Sequence, residues 1–283
     1  MSELLRIEGL SKRFYLHQAR RGICGCEDIN LTVHAGEFVG ITGKSGSGKS
    51  TILRGIYRTN LPQQGRIWYD SAGFGLVDIC RVSERQMIYL RRFEIGYISQ
   101  FLQVLPRTTA FDVVAQSALD AYGDGDLCRA QRETERLLRH FELAEELWGL
   151  YPLTFSGGEK LRLNIAAAMI KEPRLLLLDE PTASLDNASK RRVRELIERL
   201  KQGGCTMLGI FHDLEFMEGL CDREFNMEEG YLEGTSKNPL HTSLRPICPQ
   251  PVLSLNGISP ASPIKSQNGL GVNCLALWRT SGF

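Results

Sequence analysis

The chain has 283 residues, 42% hydrophobic and 24% charged, with a formal net charge of +1, enough for one sizeable core or a core with a smaller subdomain. The near-neutral balance argues against a nucleic-acid-binding surface. No apolar run reaches the ~18 residues of a membrane span, and residues 1–6 lack the basic and apolar regions of a secretory leader.

These features predict a cytoplasmic protein with no membrane-inserting segment of its own. Of its eight cysteines only Cys24 and Cys26 are close in sequence, and no second pair completes a zinc site, so the thiols are expected to be reduced.

Residues 5–10, 29–33 and 65–69 alternate apolar and polar side chains between turn residues. This pattern predicts half-buried strands in an antiparallel sheet beside the main core. Residues 37–42 read as a buried strand and 50–54 open a helix. Between them stand Gly43, Lys44, Ser45, Gly46, Ser47, Gly48, Lys49 and Ser50, followed by Thr51, which fit the phosphate-loop pattern G-x-x-x-x-G-K-[ST]. The glycines let backbone N–H groups converge on phosphate oxygens, and Lys49 reaches the outer phosphates. A glycine-rich surface turn is the bland alternative, and the strand-loop-helix setting argues against it.

Residues 95–99 predict another strand with Gln100 at its end, a flexible amide placed to sense metal or water at the entry to an insert. Residues 127–148 predict a helix, with Leu137, Leu138, Phe141 and Leu147 on one face. Ser156, Gly157 and Gly158, between Phe155 and Glu159, precede a helix predicted over 160–170. Free N–H groups and the positive dipole end suit a second phosphate there. Because the chain already has one phosphate loop, this second helix start is expected to complete an ATP site across a twofold axis. A simple helix cap is the alternative.

Residues 175–178 and 205–211 are continuous apolar runs suited to parallel strands covered on both faces. Asp179 and Glu180 follow the first run, at the strand edge where α/β sheets bind ligands. Mg²⁺ prefers hard oxygens beside phosphate, so Ser50 is expected as a direct ligand and Asp179 as one acting through the metal's water shell. Glu180 is then beside the attacking water as general base. His212, after the second run, is expected to donate to the terminal phosphate. A charged helix over 187–202 starts from a cap at Asp186 or Asn187 and ends before Gly203 and Gly204. Residues 235–283 hold six of the 11 prolines and carry +4, leaving 30 basic against 33 acidic residues in 1–234. They read as a disordered tail, with a docking peptide near Trp278 as the alternative.

The phosphate loop, Gln100, residues 155–159, residues 175–180, Ser184, Leu185, Asp186 and His212 stand in an order that resembles ABC-type ATPases. The resemblance spans 1–234 and implies an α/β fold: a RecA-like parallel-sheet core, an antiparallel β subdomain and an α-helical subdomain inserted at about 101–170. It implies ATP and Mg²⁺ as cofactors, Phe14 stacking on adenine, and Gln100 on the metal side. Glu180 is the implied catalytic base, working with Lys49, Gln100 and His212. Asp186 is implied to communicate across a dimer, and Ser156, Gly157, Gly158 and Glu159 to face the other protomer's ATP. Ala167, where the family commonly has Arg, and the tail depart from the pattern.

Residues 97–107, 154–159 and 209–213 resemble the ATP-binding L-type subunits of the phosphonate carbon-phosphorus lyase system. That resemblance implies soluble lyase core subunits and a second ABC protomer, identical or related, as partners. The role implied is a motor or assembly factor, separate from the residues that cleave the C–P bond. Two other roles share the motifs: the nucleotide-binding subunit of an importer or exporter, and a nucleotide-gated adaptor that seldom turns ATP over.

Overall fold

The structure, a computed structural model, describes residues 2–16, 21–99, 102, 104–122, 126–183 and 185–234. Gln100, Ser184 and the segment 235–283 lie outside the described residues. The strands are β1 Glu3–Leu16, β2 Arg21–His34, β3 Phe38–Gly43, β4 Gln64–Ser71, β5 Gly75–Asp78, β6 Ile95–Ile98, β7 Leu175–Asp179, β8 Thr206–Ile210, β9 Arg223–Glu228 and β10 Tyr231–Gly234. The helices are α1 Lys49–Ile56, α2 Glu84–Phe93, α3 Ala110–Tyr122, α4 Leu127–His140, α5 Gly157–Met169, α6 Asn187–Gln202 and α7 Leu214–Met217. One sheet is antiparallel, in the order β2-β1-β4-β5; the other runs β10-β9-β3-β8-β7-β6 and is parallel from β9 to β6.

The parallel sheet is buried on both faces because its strands are apolar on both. Successive side chains of a strand point opposite ways, so Leu175 and Leu177 enter one core and Leu176 and Leu178 the other. The neighbouring strands divide likewise: Val39, Ile41, Leu208 and Ile210 face the first core, Phe38 and Met207 the second. Leu5, Ile7, Ile67 and Tyr69 of the antiparallel sheet close the first core together with α1 and α2, while α3 to α6 close the second. A continuous apolar run therefore makes β7, where alternation makes β1 and β4.

The insert is built from α3, α4 and α5. The helix expected over 127–148 ends early: α4 stops at His140, and Glu142 takes φ +56°. A single 3₁₀ turn at Glu145–Leu147 follows, and the Trp148 indole donates to Leu143 O at 3.0 Å. The helix expected from 160 instead starts at Gly157, because Ser156 caps it. Ser156 Oγ accepts the Glu159 N–H at 3.3 Å and the Glu159 carboxylate accepts the Ser156 N–H at 2.8 Å, a reciprocal box. Gly157 and Gly158 thus lie inside the first turn.

Leu177 is fully buried in β7. Leu177→Ala leaves a cavity between the sheets, and a loss of about 2–5 kcal/mol of unfolding free energy is expected in urea denaturation followed by circular dichroism.

Candidate functional site

The turn from β3 into α1 depends on glycine. Gly43, Gly46 and Gly48 have φ of +136°, +78° and +105°, values that side-chain-bearing residues rarely adopt. A Cβ on Gly48 would stand 1.5 Å from Gly25 O, and one on Gly43 2.2 Å from Met227 O. Gly48 is also the N-cap of α1; it has no side chain to satisfy the first N–H groups, and the first turn holds no acidic residue. The positive end of α1 is left for an anion from outside the chain.

Lys49 is 3% exposed, and its Nζ donates to Gly43 O and Lys44 O, both at 2.8 Å. An ammonium has three N–H donors, so one remains for a phosphate oxygen. Burial lowers the Lys49 pKa, opposed by the charges of Glu180 and Asp179; a phosphate alongside favours the charged form. Ser47 Oγ is buried without a partner among the described residues, a group that a phosphate oxygen would satisfy. The loop fits phosphate on each of these counts.

The ends of β7 and β8 complete the site. Asp179, 6% exposed, accepts from Ser50 Oγ on Oδ1 at 2.8 Å and from the Tyr97 hydroxyl on Oδ2 at 2.6 Å. Ser50 sends its proton to Asp179 and keeps its lone pairs for a cation, and this all-oxygen set suits Mg²⁺. Sequence reasoning gave Tyr97 no role. The sequence shows it only as a strand residue; in the structure it pairs with Leu177, two residues before Asp179. Its hydroxyl pKa is raised by burial and by Asp179.

Glu180 takes φ +52°, a left-handed conformation that costs a non-glycine residue about 1–3 kcal/mol and concentrates at functional sites. Its Oε1 lies 2.7 Å from His212 Nε2, just past the end of β8. The tautomer with the proton on Nε2 donates to the carboxylate. Both side chains line an open cleft of about 600 Å³ together with Thr182, Lys190 and Asp213. His212 also lines a second cleft of about 370 Å³ with Gly43 and Lys44, so it stands between the phosphate loop and the carboxylate.

Phe14 approaches this loop through Gly25. A Cβ on Gly25 would meet the Phe14 ring at 2.6 Å, and Gly25 O is the atom packed on Gly48. Lys12 Nζ lies 5.5 Å from the centre of the ring.

Ser156, Gly157, Gly158, Glu159 and Asp186 form a separate group. Among the described residues, no hydrogen bond or ion pair joins them to Lys49, Asp179, Glu180 or His212. Asp186 is the N-cap of α6, its Oδ1 accepting the Ser189 N–H at 2.7 Å, and that bond holds its carboxyl below the usual range. A Cβ on Gly158 would stand 3.0 Å from Ser189 Oγ. Ser189, which sequence reasoning passed over, thus links the start of α5 to Asp186. Ala167 is partly buried against the second core.

This fold and site define a P-loop nucleotide-binding protein. Residues 26–183 match the ABC transporter family, and the chain belongs to it, with the fold of an ABC ATPase cassette. The lipoprotein-releasing system ATP-binding protein LolD of Aquifex aeolicus is 32% identical over 83% of this chain and 98% of its own length. A putative peptide import ATP-binding protein of Brucella ovis is 34% identical over 78% of this chain and 68% of its own. The dimeric post-hydrolysis structure of the ATP-binding cassette MJ0796, bound to ADP and Pi, superposes with a TM-score of 0.74 at 25% identity, covering 83% of this chain and 100% of that one.

The Glu159 carboxyl is held below its usual 4.5, chiefly by the Ser156 N–H. A depressed carboxyl stabilises the fold above its unfolded pKa and loses that contribution as pH falls through the folded value. Thermal melting is therefore expected to show Glu159→Gln less stable than wild type at neutral pH, with the difference shrinking below about pH 4.5.

Proposed function

We propose that the chain is the ATP-hydrolysing subunit of an ABC assembly, and that it closes on a second cassette with ATP held between the two. The observation that carries this reading is the Glu180–His212 pair, 2.7 Å apart, at the same sheet edge as the Asp179–Ser50 pair and Lys49. Mg²⁺, when bound by Ser50 and through water by Asp179, neutralises phosphate charge. The residues of the chain do the remainder. Lys49 and the α1 N–H groups hold the phosphates, and Phe14 stacks on the base. Glu180 takes the proton of the attacking water, while His212, its Nε2–H spent on that carboxylate, orients it beside the phosphate loop.

In the closed dimer, Gly157 and Gly158 offer N–H groups to the partner protomer's ATP. Ser156 Oγ accepts from Glu159 N, which leaves its own O–H to donate. Asp186, tied to this turn through Ser189, carries the signal across the interface. Gln100 is proposed as the metal-side sensor at the entry to the insert.

The transport and lipoprotein-release relatives favour a membrane complex as the partner, with this chain on the cytoplasmic side. In the insert, Leu105 and Leu153 are 78% and 79% exposed, with Leu150 and Tyr151 about half exposed, apolar side chains that such a partner would cover. No described helix is long and apolar enough to cross a membrane. A second reading rests on residues 97–107, 154–159 and 209–213: an ATPase of a phosphonate carbon-phosphorus lyase assembly, working with soluble lyase core subunits. Purifying the tagged chain from its native cells with and without detergent, followed by mass spectrometry, separates the two. A detergent-extracted membrane subunit supports transport; lyase subunits recovered without detergent support the second reading. Recovery of the chain with neither kind of partner argues against both and leaves the nucleotide-gated adaptor.

Glu180→Gln is expected to lower ATP turnover by about 10²–10⁴-fold and to trap an ATP-bound dimer, read by light scattering behind a sizing column. Unchanged turnover would refute the role given to Glu180.

A further inference from the structure

Tyr97 was given no role at the site by the sequence, yet its hydroxyl makes one of the shortest contacts there, 2.6 Å to Asp179 Oδ2. The other oxygen of the same carboxylate accepts from Ser50 Oγ at 2.8 Å. A carboxylate held at one end only can turn about its Cβ–Cγ bond; held at both ends, its plane is fixed. Fixing that plane fixes where Ser50 sends its single proton. The direction of that proton in turn sets where the Ser50 lone pairs point. We infer that Tyr97 is a positioning residue for the metal centre: through Asp179 it aims the Ser50 lone pairs at the divalent cation that accompanies the nucleotide.

The ring is placed independently of the hydroxyl. Tyr57 packs on it with centroids 4.9 Å apart. The Arg91 guanidinium covers Tyr57 at 5.0 Å, while Arg91 Nε donates to Tyr57 O at 2.9 Å. Backbone pairing of Tyr97 with Leu177 fixes its height relative to Asp179 at the end of β7. Removing the oxygen alone therefore leaves the ring where it is and frees one end of the carboxylate. Partners behind a metal ligand typically change metal affinity by 10–100-fold when lost. The effect here should lie at the low end, because Ser50 still holds Oδ1.

This inference rests on the reading of the site as a magnesium-nucleotide centre, and the test keeps the two apart. Binding of a fluorescent ATP analogue is measured in EDTA and then across a Mg²⁺ titration, for wild type, Tyr97→Phe and Tyr97→Met. Both variants lack the hydroxyl, and only the second also lacks the ring. Expected are metal-free affinities within about twofold of wild type and half-saturating Mg²⁺ raised about tenfold in both variants. The inference is overturned by unchanged Mg²⁺ dependence in both variants. It is also overturned by a defect confined to Tyr97→Met, which would assign the effect to ring packing, or by an equal loss of binding in EDTA. Absence of analogue binding by the wild-type chain under both conditions would instead remove the nucleotide-site reading beneath it.

Discussion

The Asp179 carboxylate is the point on which the site depends. It is buried at the end of a strand whose neighbours are almost all apolar, and a buried charge is costly unless it is hydrogen-bonded. Ser50 and Tyr97 satisfy one oxygen each. Meeting that requirement ties three elements together: β7 carries the carboxylate, β6 brings the tyrosine, and the glycine turn delivers Ser50 in the first turn of α1. The turn's compression is part of the same demand. Gly43 and Gly48 let backbone atoms approach where a Cβ would overlap Met227 O and Gly25 O. The strain at Glu180 is a local consequence, because the chain must leave β7 sharply for its side chain to meet His212.

A second set of residues, expected to face the partner protomer's nucleotide, is held apart from this site. Ser156 and Glu159 are engaged with each other, and Asp186 with Ser189. Gly158 packs on Ser189, where α5 and α6 meet. The described residues thus form two groups: one built on strand ends and the phosphate loop, the other on two capped helix starts. Helix starts stabilised in this way leave backbone donors available without any partner in their own chain. On the proposed function, one protomer's first group faces its partner's second with the nucleotide between them.

Much of this was legible because the relevant signals are local. The phosphate loop, the leucine run of β7 and the alternation in β1 and β4 each declare their structure within a few residues. Residue type narrowed the cap of α6 to Asp186 or Asn187, and the structure selects Asp186. What escaped was structure set by distant partners. α2 is rich in charge, and its buried face is only Met87 and Leu90, so its apolar stripe is too thin to read. β9 has one buried residue and is held by parallel pairing with β3, far away in sequence. The early end of α4 and the early start of α5 were decided by single turns at Glu142 and Ser156. Tyr97 was visible as a strand residue, but its hydroxyl bond depends on the register between β6 and β7, which no local pattern encodes.

The central claim is that one protomer holds only part of the catalytic arrangement. The rate of ATP hydrolysis per protomer, measured over a dilution series with the oligomeric state followed by light scattering, tests it most directly. A rate that falls on dilution in step with loss of the dimer is the expected result. A rate per protomer that stays constant where the protein is wholly monomeric would contradict it.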